Sequence, residues 1–119
     1  MGRPTQQDTE LLERAYAAFN ARDLGGALAT MKDDVVWPNG MEGGVVHGHA
    51  GVREYWTRQW GMIDPHVEPE SYTLEDSGRI AVGVHQVVRD LSGNVLMDRM
   101  VVHAYQIDGG LIQSMDIRE

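Results

Sequence analysis

The chain has no cysteine among its 119 residues, which removes disulfide frameworks, thiolate catalysis and cysteine-ligated zinc from consideration. It also lacks any apolar run approaching the roughly 20 residues that a membrane span needs. The first ten residues, MGRPTQQDTE, carry no apolar core of the kind a signal peptide has, so a cytoplasmic protein is expected. Positive charge is scarce: 10 Lys+Arg stand against 18 Asp+Glu, a net charge of −8. Such a chain repels phosphate backbones and anionic lipid, so neither nucleic acid nor a membrane surface is an expected partner.

What remains is ordinary globular material, with 42% hydrophobic and 24% charged residues. The length suits one domain spanning 1–119, with residues 1–8 expected to be flexible. Leu11, Leu12, Ala15, Tyr16, Ala18 and Phe19 recur at three- and four-residue spacing and predict a helix over 8–22. ARDLGGALATMKDD reads as a turn and a short second helix carrying Leu24, Ala27, Leu28 and Met31. VVW is a brief strand stopped by Pro38, and EGGVVHGH reads as irregular. A third helix is predicted over 50–60, where Val52, Tyr55, Trp56 and Trp60 form one apolar stripe ahead of Gly61. Pro65 and Pro69 predict a loop. Four strands then follow, joined by the hairpin signals Ser77-Gly78, Ser92-Gly93-Asn94 and Asp108-Gly109-Gly110.

Helices followed by hairpin-linked strands predict an α+β fold. The run LLERAYAAFNARDLGGALATMKDDVVW, then HGHAGVREYW, then YQIDGGLIQSMDI resembles the nuclear-transport-factor-2-like superfamily. Within it, the resemblance is to the SnoaL-like (polyketide cyclase-like) branch, a cousin of ketosteroid isomerase. It implies a cone-shaped, curved antiparallel sheet wrapped around three N-terminal helices, with an apolar central cavity. It also implies homodimers paired through the outer face of the sheet, and a pocket for a small apolar or polycyclic ligand. No single reaction follows, because relatives include isomerases, cyclases, hydrolases, dehydratases and non-catalytic modules.

Ketosteroid isomerase uses an aspartate base and an oxyanion hole of a tyrosine and a protonated aspartic acid. By the resemblance, the base position falls on Asn39, whose amide cannot accept a proton near neutral pH. The helix-one tyrosine falls on Ala15, with Tyr16 one residue and roughly 100° around the helix. The oxyanion acid falls on His103. Strand alternation places Arg99, Val101, His103 and Tyr105 on one side, which the resemblance turns toward the cavity.

His103 then has two readings: a packed histidine satisfied by one hydrogen bond, or a pocket group that transfers a proton or donates to an oxyanion. Asp116 is the candidate base, since relatives carry an essential aspartate on the late strands; its bland reading is a salt bridge to Arg99 or Arg118, or simple exposure near the C-terminus. Arg99 could neutralise a buried acid or bind an anionic substrate group. Tyr16, Trp37, Asn39, Trp56, Arg99 and Tyr105 are the expected ligand contacts, with Trp37 at the rim and Asn39 a polar handle. His85 is expected to be a core or interface histidine. His47 and His49 have a metal-like spacing but no nearby acid, so neither a metal nor another cofactor is expected, and His49 is read as opening the third helix. Two functions stand side by side: proton-transfer chemistry of the isomerase, cyclase or hydratase kind, and non-catalytic small-molecule binding or dimerisation.

Overall fold

The computed structural model describes residues 2–118. Helix α1 spans Gln6–Asn20 and is capped by Thr5, whose side chain accepts from the Asp8 amide at 3.1 Å. The helix thus starts two residues earlier than its apolar spacing indicates, because the cap and the polar first turn lie ahead of the stripe. Within the segment expected to be flexible, Gly2 bridges Leu74 and residues 6–8 are helical. Leu11, Leu12, Ala15 and Tyr16 form the buried stripe.

The turn ARD joins α1 to the short α2, Leu24–Leu28, and each of its neighbours is tied down. Asn20 accepts from the Val67 amide at 3.0 Å and donates to the Val67 carbonyl at 2.8 Å. Arg22 adopts φ 61°, the only left-handed non-glycine among the described residues. Its guanidinium donates to the Phe19 and Pro65 carbonyls and pairs with Asp64. Asp23 caps α2 by accepting from the Gly26 amide. The FNARD signature is therefore a structural joint that fixes α1 on the third strand. Asn20→Ala is expected to lower stability by about 1–3 kcal/mol through the unsatisfied Val67 backbone, read as a lower urea midpoint with an unchanged slope.

The strands are β1 (Met31–Pro38), β2 (Val45–His47), β3 (Ile63–Leu74), β4 (Ile80–Asp90), β5 (Val95–Asp108) and β6 (Leu111–Arg118), with α3 (Gly48–Trp60) between β2 and β3. They form one six-stranded sheet in the order β2-β1-β6-β5-β4-β3, open at both edges. The pairing is antiparallel, as expected, except between β1 and β6, which run parallel. β1 enters from the helices and takes its place beside the C-terminal strand, which leaves no hairpin to reverse it.

Three further expectations are corrected. VVHGH contains strand β2, and α3 starts at Gly48, where φ 72° turns the chain into the helix. Met31 belongs to β1 and not to the second helix. Pro65 and Pro69 lie inside β3, not in a loop; β3 is an edge strand, where a missing N–H need not break a ladder. The glycines of the three hairpins, Gly78, Gly93, Gly109 and Gly110, all have positive φ, as their turns require.

The sheet lays one face on α1 and α3. Leu12, Val35, Val52, Val82, Val84 and Ile112 are fully buried between these layers. The inner face is not filled to the end of the long strands, and the gap there is the cavity.

Candidate functional site

The cavity has a volume of about 600 Å³ and opens between the loop 39–44, α3 and the outer ends of β4 and β5. Its deep wall is aromatic: Trp37 meets Trp56 edge-on at 5.5 Å and Tyr105 at 6.2 Å between ring centroids. Phe19 stands edge-on to Trp56. These positions follow from period: Tyr16 and Phe19 from one stripe of α1, Tyr105 and His103 from one face of β5.

A cluster of three polar side chains is set deep in this apolar wall. The Tyr105 hydroxyl donates to the Tyr16 hydroxyl at 2.9 Å, and the Tyr16 oxygen lies 2.8 Å from His103 Nδ1. The Tyr16 and His103 rings are near-parallel, with centroids 5.9 Å apart. His103 is 6% exposed, and burial pushes its pKa down to about 4, so the ring is neutral at neutral pH. Burial raises both tyrosines well above their ordinary value, so both keep their protons. Because Tyr105 donates to Tyr16, the Tyr16 hydroxyl has its own proton to give to Nδ1, an arrangement that matches the tautomer with the imidazole proton on Nε2. Three groups form a one-way chain, Tyr105 to Tyr16 to His103. Each donation polarises the next group, which strengthens the remaining N–H as a donor.

The cavity mouth carries Gln86 and Arg99, which are direct partners across β4 and β5 and both line the opening. Arg99 and His103 share the inner face, as alternation indicates. Asp116 does not join them: β6 sets it opposite Ala104, whereas His103 opposes Ile117. Its carboxylate pairs with Arg79 and also acts electrostatically on Arg118, and its side chain is 58% exposed. It reaches the cavity only at the edge, where it is part of an exposed ion pair.

Residues 12–115 match the SnoaL-like domain. The chain belongs to that family. Among solved structures, this SnoaL-like chain is similar to TerC co-crystallised with polyporic acid, with 28% identity over 94% of this chain and 90% of that one and a TM-score of 0.82. An NTF2-like protein of unknown function from Burkholderia pseudomallei is 26% identical over 96% and 91%, also with a TM-score of 0.82. RV0760c from Mycobacterium tuberculosis, in complex with estradiol-17β-hemisuccinate, shares the fold at 22% identity over 93% and 92%, with a TM-score of 0.78. Comparison with curated proteins finds no match.

In this SnoaL-like cavity the remaining candidates fall as follows. Tyr16, Trp37, Trp56 and Tyr105 line it, with Trp37 deep in the wall and 8% exposed, not at the rim. Asn39 also lines it, but its amide is spent on the loop: Oδ1 accepts from the Met41 and Glu42 amides and Nδ2 donates to Glu42. It is a turn residue, not a polar handle. His85 is on the outer face, 2.6 Å from Asp98. His49 lies at the start of α3 and its Nε2 is 3.0 Å from the Met31 carbonyl oxygen, while no metal-sized cluster of His, Asp or Glu exists among the described residues. No helix among the described residues is long and apolar enough to cross a membrane.

Sequence reasoning missed Gln86. It shares parity with Val82, Val84 and Val88, all apolar, and that break in GRIAVGVHQVVRD is a readable signal. It also missed Tyr55, whose hydroxyl accepts from the Gly40 amide and anchors the loop over the cavity.

Proposed function

We propose that this protein binds a small, largely apolar ring compound bearing a carbonyl oxygen. His103 Nε2–H would donate to that oxygen, and the aromatic wall would hold the rings. The observation that carries this reading is the Tyr105–Tyr16–His103 chain, a prearranged donor in a largely apolar pocket of ligand size. TerC and RV0760c were each crystallised with a small organic molecule, which supports a ligand of that kind. The chemistry fitting such a donor is isomerase-, cyclase- or hydratase-type proton transfer through an enolate, with His103 as oxyanion donor and not as base.

A second reading, binding without turnover, is favoured by the base position. Asn39 stands there with its amide consumed by the turn, and Asp116 is held by Arg79. One experiment addresses both. A 3-keto steroid, testosterone, should quench Trp37 and Trp56 fluorescence saturably; no quenching and no rise in melting temperature would sink the binding reading. Incubation in D2O then separates the two: deuterium uptake α to the ketone, faster with protein than without, marks catalysis, and its absence marks holding alone.

The proposal extends to a cytoplasmic homodimer paired through the outer sheet face. Met100 and Leu96 on β5 are 54% and 60% exposed, and the small residues Ala81, Gly83 and Ala104 leave a flat centre. Met100→Asp is expected to convert a dimer into a monomer in light scattering coupled to gel filtration. A monomeric wild type would remove this part.

A further inference from the structure

The cavity has two polar stations, not one. His103 marks the deep end, and Arg99 stands at the mouth on the same face of the same strand, four residues away. At about 3.3 Å per residue, the two stations lie about 13 Å apart, with the apolar Val101 between them on the inner face. Gln86, the cross-strand partner of Arg99, adds an amide beside the guanidinium.

The charges around the mouth have a definite arrangement. Asp116 pairs with Arg79, while Arg58 is shared between Glu42 and Glu54, so these five groups together leave one negative charge near the mouth. Arg99 contributes a cation to the lining of a cavity whose chain carries a net charge of −8. A guanidinium has five N–H donors in a planar fork that matches a carboxylate, so it can take a ligand anion alongside another contact.

We infer that the ligand is an amphiphilic ring compound, with a neutral hydrogen-bond acceptor at its buried end and a carboxylate at the other, the latter bound by Arg99 with Gln86. The inference rests on the binding reading above and adds the ligand's polarity, length and direction. The ring system enters acceptor first, and its anionic end stays at the solvent boundary, where little desolvation is required.

The test uses testosterone-17β-hemisuccinate and its neutral methyl ester, which share the 3-keto end and the ring system and differ at the terminus, a carboxylate against an uncharged ester. Affinities come from tryptophan quenching at low salt. The acid should bind the wild-type protein about tenfold more tightly than the ester, and the preference should shrink at 0.5 M salt as screening grows. Arg99→Gln should bring the acid down to about the affinity of the ester, with a much smaller change in the ester than in the acid. The side chain is exposed, so this variant keeps its fold. Equal binding of acid and ester to the wild type, or equal loss of both in Arg99→Gln, overturns the inference while the ester's binding upholds the pocket. Failure of both compounds to bind overturns the pocket reading and the inference with it.

Discussion

His103→Ala is expected to weaken binding of a ketone ligand by about 10- to 100-fold while leaving the far-ultraviolet circular dichroism unchanged. The substitution removes the imidazole that ends the Tyr105–Tyr16 chain and that is proposed as the donor to the ligand. It also deprives the Tyr16 hydroxyl of its acceptor at a buried position, which costs about 1–3 kcal/mol of stability. The lost ring adjoins an existing cavity, so water can enter and satisfy part of that demand, and the fold survives.

A graded series follows from the direction of the chain. Tyr16→Phe leaves Nδ1 without a donor, so the ring can carry its proton on either nitrogen, and binding falls less than with His103→Ala. Tyr105→Phe removes only the outermost polarising group and has the smallest effect. Isothermal titration of the four proteins with testosterone checks the order. Undiminished affinity in His103→Ala would show that the aromatic wall alone binds the ligand.

The part of this site legible in the sequence is the part governed by local periodicity. Alternation along β5 puts Arg99, His103 and Tyr105 on one face whatever the rest of the chain does, and helical spacing puts Tyr16 on the buried stripe of α1. The family resemblance turned that β5 face inward. What periodicity cannot supply is the meeting of Tyr16 with His103, 87 positions apart, or of Tyr105 with Tyr16.

The place of Asp116 is not legible in the sequence for a related reason. Its face depends on the register of β6 against β5, and that register shifts between Gln106 and Ile107, just after the turn that sets it. One residue of slip moves a side chain from cavity to solvent, and its real partner, Arg79, belongs to the start of the β4 hairpin. The prolines of β3 misled in the same way, since proline excludes a central strand but not an edge one, and strand order is a tertiary property. The one-residue offset between Ala15 and Tyr16 mattered little in the end. Tyr16 is on the buried stripe and carries the hydroxyl that Ala15 cannot.

Acidification is expected to destabilise the protein between pH 6.5 and pH 4 through His103. Its folded pKa is pushed down to about 4 by burial, against about 6.5 in the unfolded chain. In that window the unfolded state binds the proton and the folded state does not, so stability is complete above pH 6.5 and falls as the pH drops toward 4. The full separation corresponds to about 3 kcal/mol. His103→Gln retains an acceptor for Tyr16 and cannot titrate, so its urea midpoint should stay nearly flat over the same range. Other groups act elsewhere. His85 is raised by its hydrogen bond to Asp98, so its contribution is present below pH 6.5 and is lost only as the pH rises through its folded value. Glu75, Asp90 and Asp108 are lowered by their hydrogen-bond partners, and their contributions are lost as the pH falls below the ordinary carboxylate range. A wild-type midpoint that is as flat as that of His103→Gln between pH 6.5 and 4 would mean that the ring takes up its proton in the folded state, and the neutral Nε2–H donor would lose its basis.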